Sequence, residues 1–418
     1  MNYLKFVGQH FRLLFFGIMM TFLSSFGQTF LLGLYVPFIM KDFDLKNSEV
    51  SLHYMIATFG SAFLIPYAGK FIDRIPIRKY TLGAMFLFLM ALALMATIEY
   101  WFLIPIAFFG LRLAGQGLFS HISMTAMSKY FNKGRGKAIS LASLGHPLGQ
   151  AFLPLLVLAI IEWVGWRQSL FVNAGLVAFM VCGYLIFFLK NQDLSGKEKE
   201  IINVNKGKAL SQKEIIKTKS FWLLAPNMFI LSFTVTGLFF YQFSIAEFKS
   251  WPMEDMALGL TFYAVAGSVF ILFSGPLIDK YSARKFFPYY LIPFLVAIVF
   301  IGSFGDSWVI FPYMILMGAS SGFGGALKSA LQVEFFGSTS IGSVRSLFTS
   351  IMVLSSAIGP AAFGLILDAG FTFEEVFLAA GVLVAIVIVL SFRAIPKFTL
   401  AKYKYKFKQR HRRFDSFK

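Results

Sequence analysis

Charge is scarce in this chain. Only 14% of its 418 residues are Asp, Glu, Lys or Arg, whereas a typical soluble domain carries about 25%. Apolar residues make up 57% of the chain, and the mean hydropathy is +0.72. One or two globular cores would not bury so many apolar side chains. A water-soluble fold is therefore excluded, and the apolar residues form runs long enough to cross a bilayer.

The chain has almost no cysteine and lacks the usual catalytic motifs. Cys182 is the single cysteine, which excludes an intramolecular disulfide framework and a cysteine metal site. The absence of a P-loop excludes an ATP-driven pump. The chain has no H-x-x-H pair and no acidic pair inside an apolar run, so a polytopic membrane enzyme remains only a remote alternative. We expect no catalytic residue, no metal and no cofactor.

Twelve apolar runs of about 20 residues predict twelve transmembrane helices, since a lipid-exposed backbone must satisfy its own hydrogen bonds. The predicted spans are 11–40, 49–69, 81–98, 102–128, 138–161, 168–189, 221–246, 257–278, 287–304, 308–333, 346–367 and 373–394. The predicted fold class is all-α integral membrane. The predicted domains are a six-helix bundle over 1–190, a polar cytoplasmic linker over 191–219, a second six-helix bundle over 220–396 and a basic tail over 397–418.

Basic residues are distributed unevenly between alternate loops. The net charge is +18, and 32 of the 38 Lys and Arg residues lie in the termini, the linker and the loops on one side. Four lie on the other side, and Arg112 and Lys328 fall inside spans. By the positive-inside rule, the basic side is cytoplasmic. We therefore expect a multi-pass protein of the cell membrane, with both termini cytoplasmic and no nucleic-acid partner.

One motif occurs twice, after the second span of each half. GKFIDR at 69–74 is repeated as GPLIDK at 275–280, and an Arg-Lys pair follows each copy. Duplicated six-span halves are typical of transporters that work by alternating access. The motif resembles the signature loop of the major facilitator superfamily of secondary transporters. RLAGQG at 112–117, in the fourth span, resembles the intramembrane Arg-x-x-Gly-type motif of the same family.

The resemblance implies two pseudo-symmetric six-helix bundles and a gate on the cytoplasmic side. Asp73 would face the start of the eleventh span near Arg345, and Asp279 would face the start of the fifth span near Arg135 and Lys137. These contacts would close the cytoplasmic side in the outward-open state. Glycine at 69 and 275 also removes bulk where helices pack closely. The implied gate residues are Gly69, Asp73, Arg74, Gly275, Asp279 and Arg345.

A second, shorter pattern is similar to the monocarboxylate and oxalate/formate branch of that family. It consists of Tyr130-Phe131 and the stretch RGKA at 135–138, followed by Gly145 and Gly149. This resemblance implies small organic anions as substrates.

The two cations inside spans are candidate substrate ligands. A charge at mid-depth costs about 2.5–3.5 kcal/mol on insertion scales, so Arg112 should face the protein interior or a water-filled path. It would bind a substrate carboxylate or sense a coupled proton. Alternatively, it would donate hydrogen bonds to backbone carbonyls or to Gln116. Lys328 would line the cavity or extend its ammonium to the membrane surface.

Neutral and titratable groups complete the candidate set. Gln28 and Tyr241 are predicted substrate contacts, although each would equally serve as an interhelical hydrogen bond. His121 and His146 are the candidates for proton coupling, because imidazole titrates near neutral pH. No acidic residue is placed in a span interior, which disfavours a multidrug exporter that relies on a buried carboxylate.

These features predict a monomeric secondary transporter that moves a small organic anion, such as a monocarboxylate, by alternating access. Its partners would be the solute, the lipid bilayer and either a coupled proton or a counter-substrate. The alternative is a carrier of a neutral or hydrophobic solute such as a sugar, a nucleoside or a drug.

Overall fold

The computed structural model of the chain describes residues 3–72, 74–131, 134–187, 210–337 and 340–392, and these parts are helical without strands. They contain eleven helices long and apolar enough to cross a membrane, together with a shorter apolar helix, the ninth in chain order. The helices are α1 Phe6–Gly27, α2 Asn47–Gly69, α3 Ile77–Thr97, α4 Trp101–Tyr130, α5 Arg135–Val164, α6 Trp166–Ile186, α7 Lys219–Phe248, α8 Met253–Tyr281, α9 Ile292–Ser303, α10 Ser307–Phe336, α11 Ile341–Asp368 and α12 Phe373–Phe392. The predicted all-α membrane fold is confirmed.

The first span differs from the single helix predicted over 11–40. It is helical over Tyr3–Leu23, forms a 3-10 turn over Ser24–Gly27, and resumes as the short helices Thr29–Leu32 and Val36–Phe43. Serine and glycine lie close together in SSFG at 24–27, and such residues favour a break because serine hydroxyls bond to nearby backbone carbonyls and glycine has little helix preference. The hydroxyl of Ser24 indeed donates to the carbonyl of Thr21, at 2.6 Å.

The ninth span is shorter than the predicted 287–304. Its helix begins only at Ile292, with Pro293 in the first turn, and turns occupy residues 287–291. Proline fits the first turn of a helix because no hydrogen bond is needed from its nitrogen there, but it does not continue a helix that has already begun. Pro288 and Pro293 thus explain why the helix starts late.

The helices form two bundles, α1–α6 and α7–α12, which meet along α2 and α11 and along α5 and α8. Because successive helices are antiparallel, the helix ends of both bundles lie at two faces of the molecule, which we call the basic end and the opposite end. The basic end, where α1 begins and α11 begins, carries Lys129, Arg284 and Arg345. The opposite end, where α2 begins and α11 ends, carries Asn47 and Asp368.

Large apolar side chains cover the outer surface of the helices. Phe63, Trp163 and Phe179 are each more than 70% exposed, and many other apolar residues project outward in the same way. In water this would be unfavourable, at about 25 cal/mol for each Å² of exposed apolar surface. The lipid bilayer is the solvent that this surface fits.

The end of the predicted linker is folded. Ser211 and Glu214 form a capping box at the start of a short helix, Gln212–Ile216, and the hydroxyl of Thr218 caps α7 by accepting from the Phe221 N–H at 3.2 Å. The last residues of the predicted linker, 191–219, are therefore helical or form a helix cap. Residues 191–209 and the predicted basic tail 397–418 lie outside the described residues.

Candidate functional site

The two bundles are closed against each other at the opposite end. The hydroxyl of Tyr241 in α7 donates to the carbonyl of Asn47 at 2.8 Å, and the amide of Gln242 donates to the carbonyl of Phe30 at 2.8 Å. Tyr241 is fully buried in this contact. It was predicted to touch substrate, but the structure places it in the seal between α7 and α2, which matches the interhelical hydrogen bond that was its alternative.

A cavity of about 440 Å³ lies between α7, α10 and α11. Its lining extends from mid-depth of α7 to the first turns of α11, so it lies toward the basic end. It is bordered by Leu231, Ser232, Val235, Thr236, Ser321, Gly325, Lys328, Ser329, Gln332, Arg345, Thr349 and Met352. The lining contains two cations, several hydroxyls and an amide, and no carboxylate.

Lys328 is the deeper of the two cations. It precedes the end of α10 at Phe336 by eight residues, or about 12 Å of helix, whereas Arg345 lies near the start of α11. Among the described residues, no carboxylate lies within ion-pair distance of the Lys328 ammonium. A cavity with unpaired positive charge attracts anions from the basic end.

Glu334 lies six residues after Lys328 but does not neutralise it. Its carboxylate instead forms an ion pair with Arg284 at 3.4 Å and accepts hydrogen bonds from the Ser282 hydroxyl at 2.8 Å and the Ala283 N–H at 2.9 Å. These contacts fix the loop after α8 to the end of α10. The Glu334 carboxylate thus stays with Arg284 and leaves Lys328 unpaired among the described residues.

Arg112 lies elsewhere, where the broken part of α1 meets α4. Residues 111–119 of α4 form a π-helix, a wider turn that often marks functional sites. Gly27 and Gly115 allow direct backbone contact here, since a Cβ on Gly27 would lie 2.3 Å from the Gln116 nitrogen and one on Gly115 would lie 2.9 Å from the Gly27 Cα. The glycines of RLAGQG thus serve helix packing.

The guanidinium of Arg112 holds this junction. One nitrogen donates to the Gly27 carbonyl at 3.4 Å and to the Thr29 hydroxyl at 3.3 Å, and the group lies 5.0 Å from the ring centre of Tyr54. Arg112 is only 4% exposed and does not line the Lys328 cavity. These contacts match the second interpretation of Arg112, with a carbonyl of α1 as the acceptor. Gln28 is the next residue of the break, and its side chain is half-buried.

The two histidines lie on different helices. His121 contacts Gly69, where a Cβ would lie 2.9 Å from the imidazole Nε2, so the close packing predicted at Gly69 is confirmed. His146 follows a break between the helices Arg135–Ser143 and Gly145–Val164 and contacts the ring of Phe30 edge-on at 6.1 Å. Pro147 explains this break, because it lacks the N–H that would bond to residue 143. Proton coupling through either histidine stays a prediction.

Among the described residues, the implied gate contacts of Asp279 and Arg345 are not formed. Asp73 lies outside the described residues, and Arg74, Asp279 and Arg345 are exposed. Within the described parts of the chain, neither Asp279 nor Arg345 has an ion-pair partner. A Cβ on Gly275 would meet nothing within 4 Å, so the close packing predicted there is wrong for this conformation. The gate role of these residues stays a prediction.

Sequence reasoning missed the residues that close the opposite end. Asp368 was not singled out, and the predicted eleventh span stopped one residue before it, yet its carboxylate contacts the start of α2. Thr29 and Tyr54 were missed too, although their hydroxyls share a hydrogen bond of 2.5 Å beside Arg112. The sequence did contain a signal for Asp368, because it places a carboxylate at the end of one span and polar residues at the start of another span on the same side.

Two six-helix bundles that are closed against each other at one end, with a polar cavity in the second bundle toward the other end, define a polytopic membrane transporter. The sequence model of the Major Facilitator Superfamily matches residues 17–261 and 242–413, and the chain belongs to this superfamily. The predicted family is confirmed.

Individual relatives are more distant. Monocarboxylate transporter 4 of Rattus norvegicus is 26% identical over 271 residues, which cover 62% of this chain and 56% of the relative. The membrane sensor protein UhpC of Salmonella typhimurium is 27% identical over 186 residues, or 41% of each chain. The chain thus aligns with only about half the length of these curated relatives.

Solved structures confirm the fold. A bacterial homologue of the human lysosomal transporter Spinster, inward-facing and unoccupied, aligns with a TM-score of 0.74 at 16% identity and covers 93% of this chain and 97% of its own. The nucleoside transporter NupG aligns with a TM-score of 0.68 at 13% identity, and the alignment covers 95% of this chain and 99% of that structure.

Proposed function

We propose that this transporter moves a small organic anion, such as a monocarboxylate, by alternating access. The observation that carries the proposal is the unpaired ammonium of Lys328 in a cavity without carboxylates. A carboxylate of the solute would form there the ion pair that the described residues do not supply. The similarity to a protein named as a monocarboxylate transporter supports the same substrate class.

The cavity also offers groups that orient a small acid. Ser232, Thr236 and Thr349 border it with hydroxyls, and Gln332 borders it with an amide. Arg345 stands nearer the basic end and draws anions toward Lys328, since a cleft lined by one sign of charge concentrates the opposite ion. In this proposal Lys328 and Arg345 bind the negative charge of the solute, and Arg112 holds the two parts of the broken first span in position.

The same proposal includes the orientation in the membrane. The basic end would face the cytoplasm, which places both termini and the linker there. The structure would then be an inward-open state, since the seal lies at the opposite end. In the other state, the bundles would rock so that the gate around Asp279 and Arg345 closes the basic end. Coupling would be to a proton or to a counter-substrate.

Ligand-dependent thermal stabilisation of the purified protein in detergent tests the substrate class. At 100 times its dissociation constant, a bound acid should add about 2.7 kcal/mol to the apparent free energy of unfolding. We expect a monocarboxylate to produce this stabilisation and a neutral analogue such as the corresponding amide to produce none, at equal ionic strength.

The Arg112→Ala variant belongs in the same screen. If Arg112 only positions α1, the variant should unfold at a lower temperature without ligand, and acids should still stabilise it. If acids no longer stabilise the variant and its unfolding temperature without ligand is unchanged, Arg112 is instead a substrate ligand, as its position in the span predicted. Stabilisation by nucleosides, sugars or cations alone would contradict the anionic substrate and leave the fold assignment standing.

A further inference from the structure

Asp368 is the last residue of α11, and its carboxylate lies on the first turn of α2 in the other bundle. One oxygen accepts from the Asn47 backbone N–H at 3.1 Å and from the Asn47 side-chain amide at 3.2 Å. The other accepts from the Ser48 N–H at 2.8 Å. The first N–H groups of a helix have no partner within it, and a carboxylate there both satisfies them and complements the helix dipole.

The chain gives α2 no cap of this kind from its own preceding residue. Lys46 occupies that position and has no side-chain acceptor, and its backbone N–H donates to Glu49 at 2.8 Å. The acceptor for Asn47 and Ser48 therefore comes from the opposite bundle. We call these three residues, Asn47, Ser48 and Asp368, the cross-bundle cap.

Packing around the cross-bundle cap is tight. Gly364 lies one turn before Asp368, and a Cβ at this position would lie 2.5 Å from the Ser51 hydroxyl, 2.6 Å from the Tyr241 hydroxyl and 2.7 Å from the Asn47 carbonyl. Tyr241 donates its hydrogen bond to the same carbonyl. The start of α2 is thus held by both α11 and α7, at the end away from the Lys328 cavity.

We propose that Asp368 is a positioning residue of the transport cycle. Its cap on α2 stabilises the state closed at the opposite end and must be released each time that end opens. Because Asp368 does not border the cavity, it sets the ratio of the two conformations and does not contact the solute. The inference rests on the alternating access of the proposed function, but not on the solute being an anion.

Distance measurements between spin labels test this directly without any substrate. Labels at Thr97→Cys and Ser303→Cys, in a Cys182→Ser background, report the separation of the two bundles at the opposite end, where both residues are exposed. We expect Asp368→Ala to raise the ratio of the long to the short distance about fivefold, the usual effect of losing a helix cap. Asp368→Asn, which keeps one acceptor oxygen, should give a smaller rise.

Gly364→Ala provides a second route that leaves the carboxylate in place. The added methyl group meets the Asn47 carbonyl and should also raise the long-distance fraction, whereas Gly342→Ala on the same helix, with open space around it, should not. Asp306→Asn removes an exposed carboxylate at the same end and serves as the charge control.

Unchanged ratios in both Asp368→Ala and Gly364→Ala would overturn the inference. A change in Gly364→Ala without one in Asp368→Ala would also overturn it, because the seal would then be steric only. An equal change in Asp306→Asn would attribute the effect to net charge. If the distances shift as expected while acids fail to stabilise the protein, the substrate proposal fails and the cross-bundle cap stands.

Discussion

Lys328→Met should raise the dissociation constant for a monocarboxylate about 30-fold or more. Removing one member of a desolvated ion pair costs about 2 kcal/mol at least, and 1.4 kcal/mol corresponds to a factor of ten. The same substitution should not weaken the unliganded protein. An unpaired ammonium within the membrane is costly, and methionine fills nearly the same space, so the free energy of unfolding should stay equal or rise. Binding would be measured by calorimetry or by ligand-dependent unfolding.

Two further variants make the result interpretable. Lys328→Arg keeps the positive charge and should retain measurable binding. Lys217→Met removes an exposed lysine at the same end, just before α7 and outside the cavity, so affinity should remain that of the wild type. Equal affinity in Lys328→Met and the wild type would remove Lys328 from the site and with it the main support for an anionic substrate.

The membrane architecture was predictable because its causes are local. A run of about 20 apolar residues identifies a spanning helix without knowledge of its neighbours, and the distribution of Lys and Arg indicates one side of the membrane. Lys328 was found in the same way, since a charge in an apolar run stands out. The repeat at 69–74 and 275–280 indicated the two halves and the family.

What was missed depends on contacts between distant parts of the chain. Asp368 looks like an ordinary loop carboxylate until α2 is placed beside it, and Tyr241 looks like a cavity residue until Asn47 is placed opposite its hydroxyl. One sequence also encodes the contacts of two conformations, and this structure shows only one of them. Gate residues such as Asp279 belong to contacts that this conformation does not make, so their predicted role is visible only in the motif.

Arg112 shows the same limit at a single residue. Its burial in a span predicted an interior position correctly, but periodicity alone does not show which carbonyl it meets. The acceptor is Gly27, which is available because α1 breaks beside it and because two glycines let the backbones touch. A ligand role and a packing role for arginine thus have the same sequence signature.

Gly27→Ala should therefore be among the most damaging single-methyl changes in the chain. The added Cβ would lie 2.3 Å from the Gln116 nitrogen and 2.4 Å from the Leu111 carbonyl, both backbone atoms that no rotamer change removes. Overpacking of this kind costs about 1–3 kcal/mol, and relief requires α1 to move away from α4. We expect a lower unfolding temperature in detergent and loss of transport in reconstituted vesicles.

The control for Gly27→Ala is a glycine without neighbours. Gly83 in α3 has open space within 4 Å, so Gly83→Ala should be neutral or stabilising because alanine favours a helix by about 0.5–1 kcal/mol. The combination of Gly27→Ala with Arg112→Ala sharpens the test. If both act on one junction, the double variant should lose less stability than the two single losses added together, whereas independent sites would add within about 0.5 kcal/mol. Additive losses would mean that Arg112 does not work through the contact at Gly27.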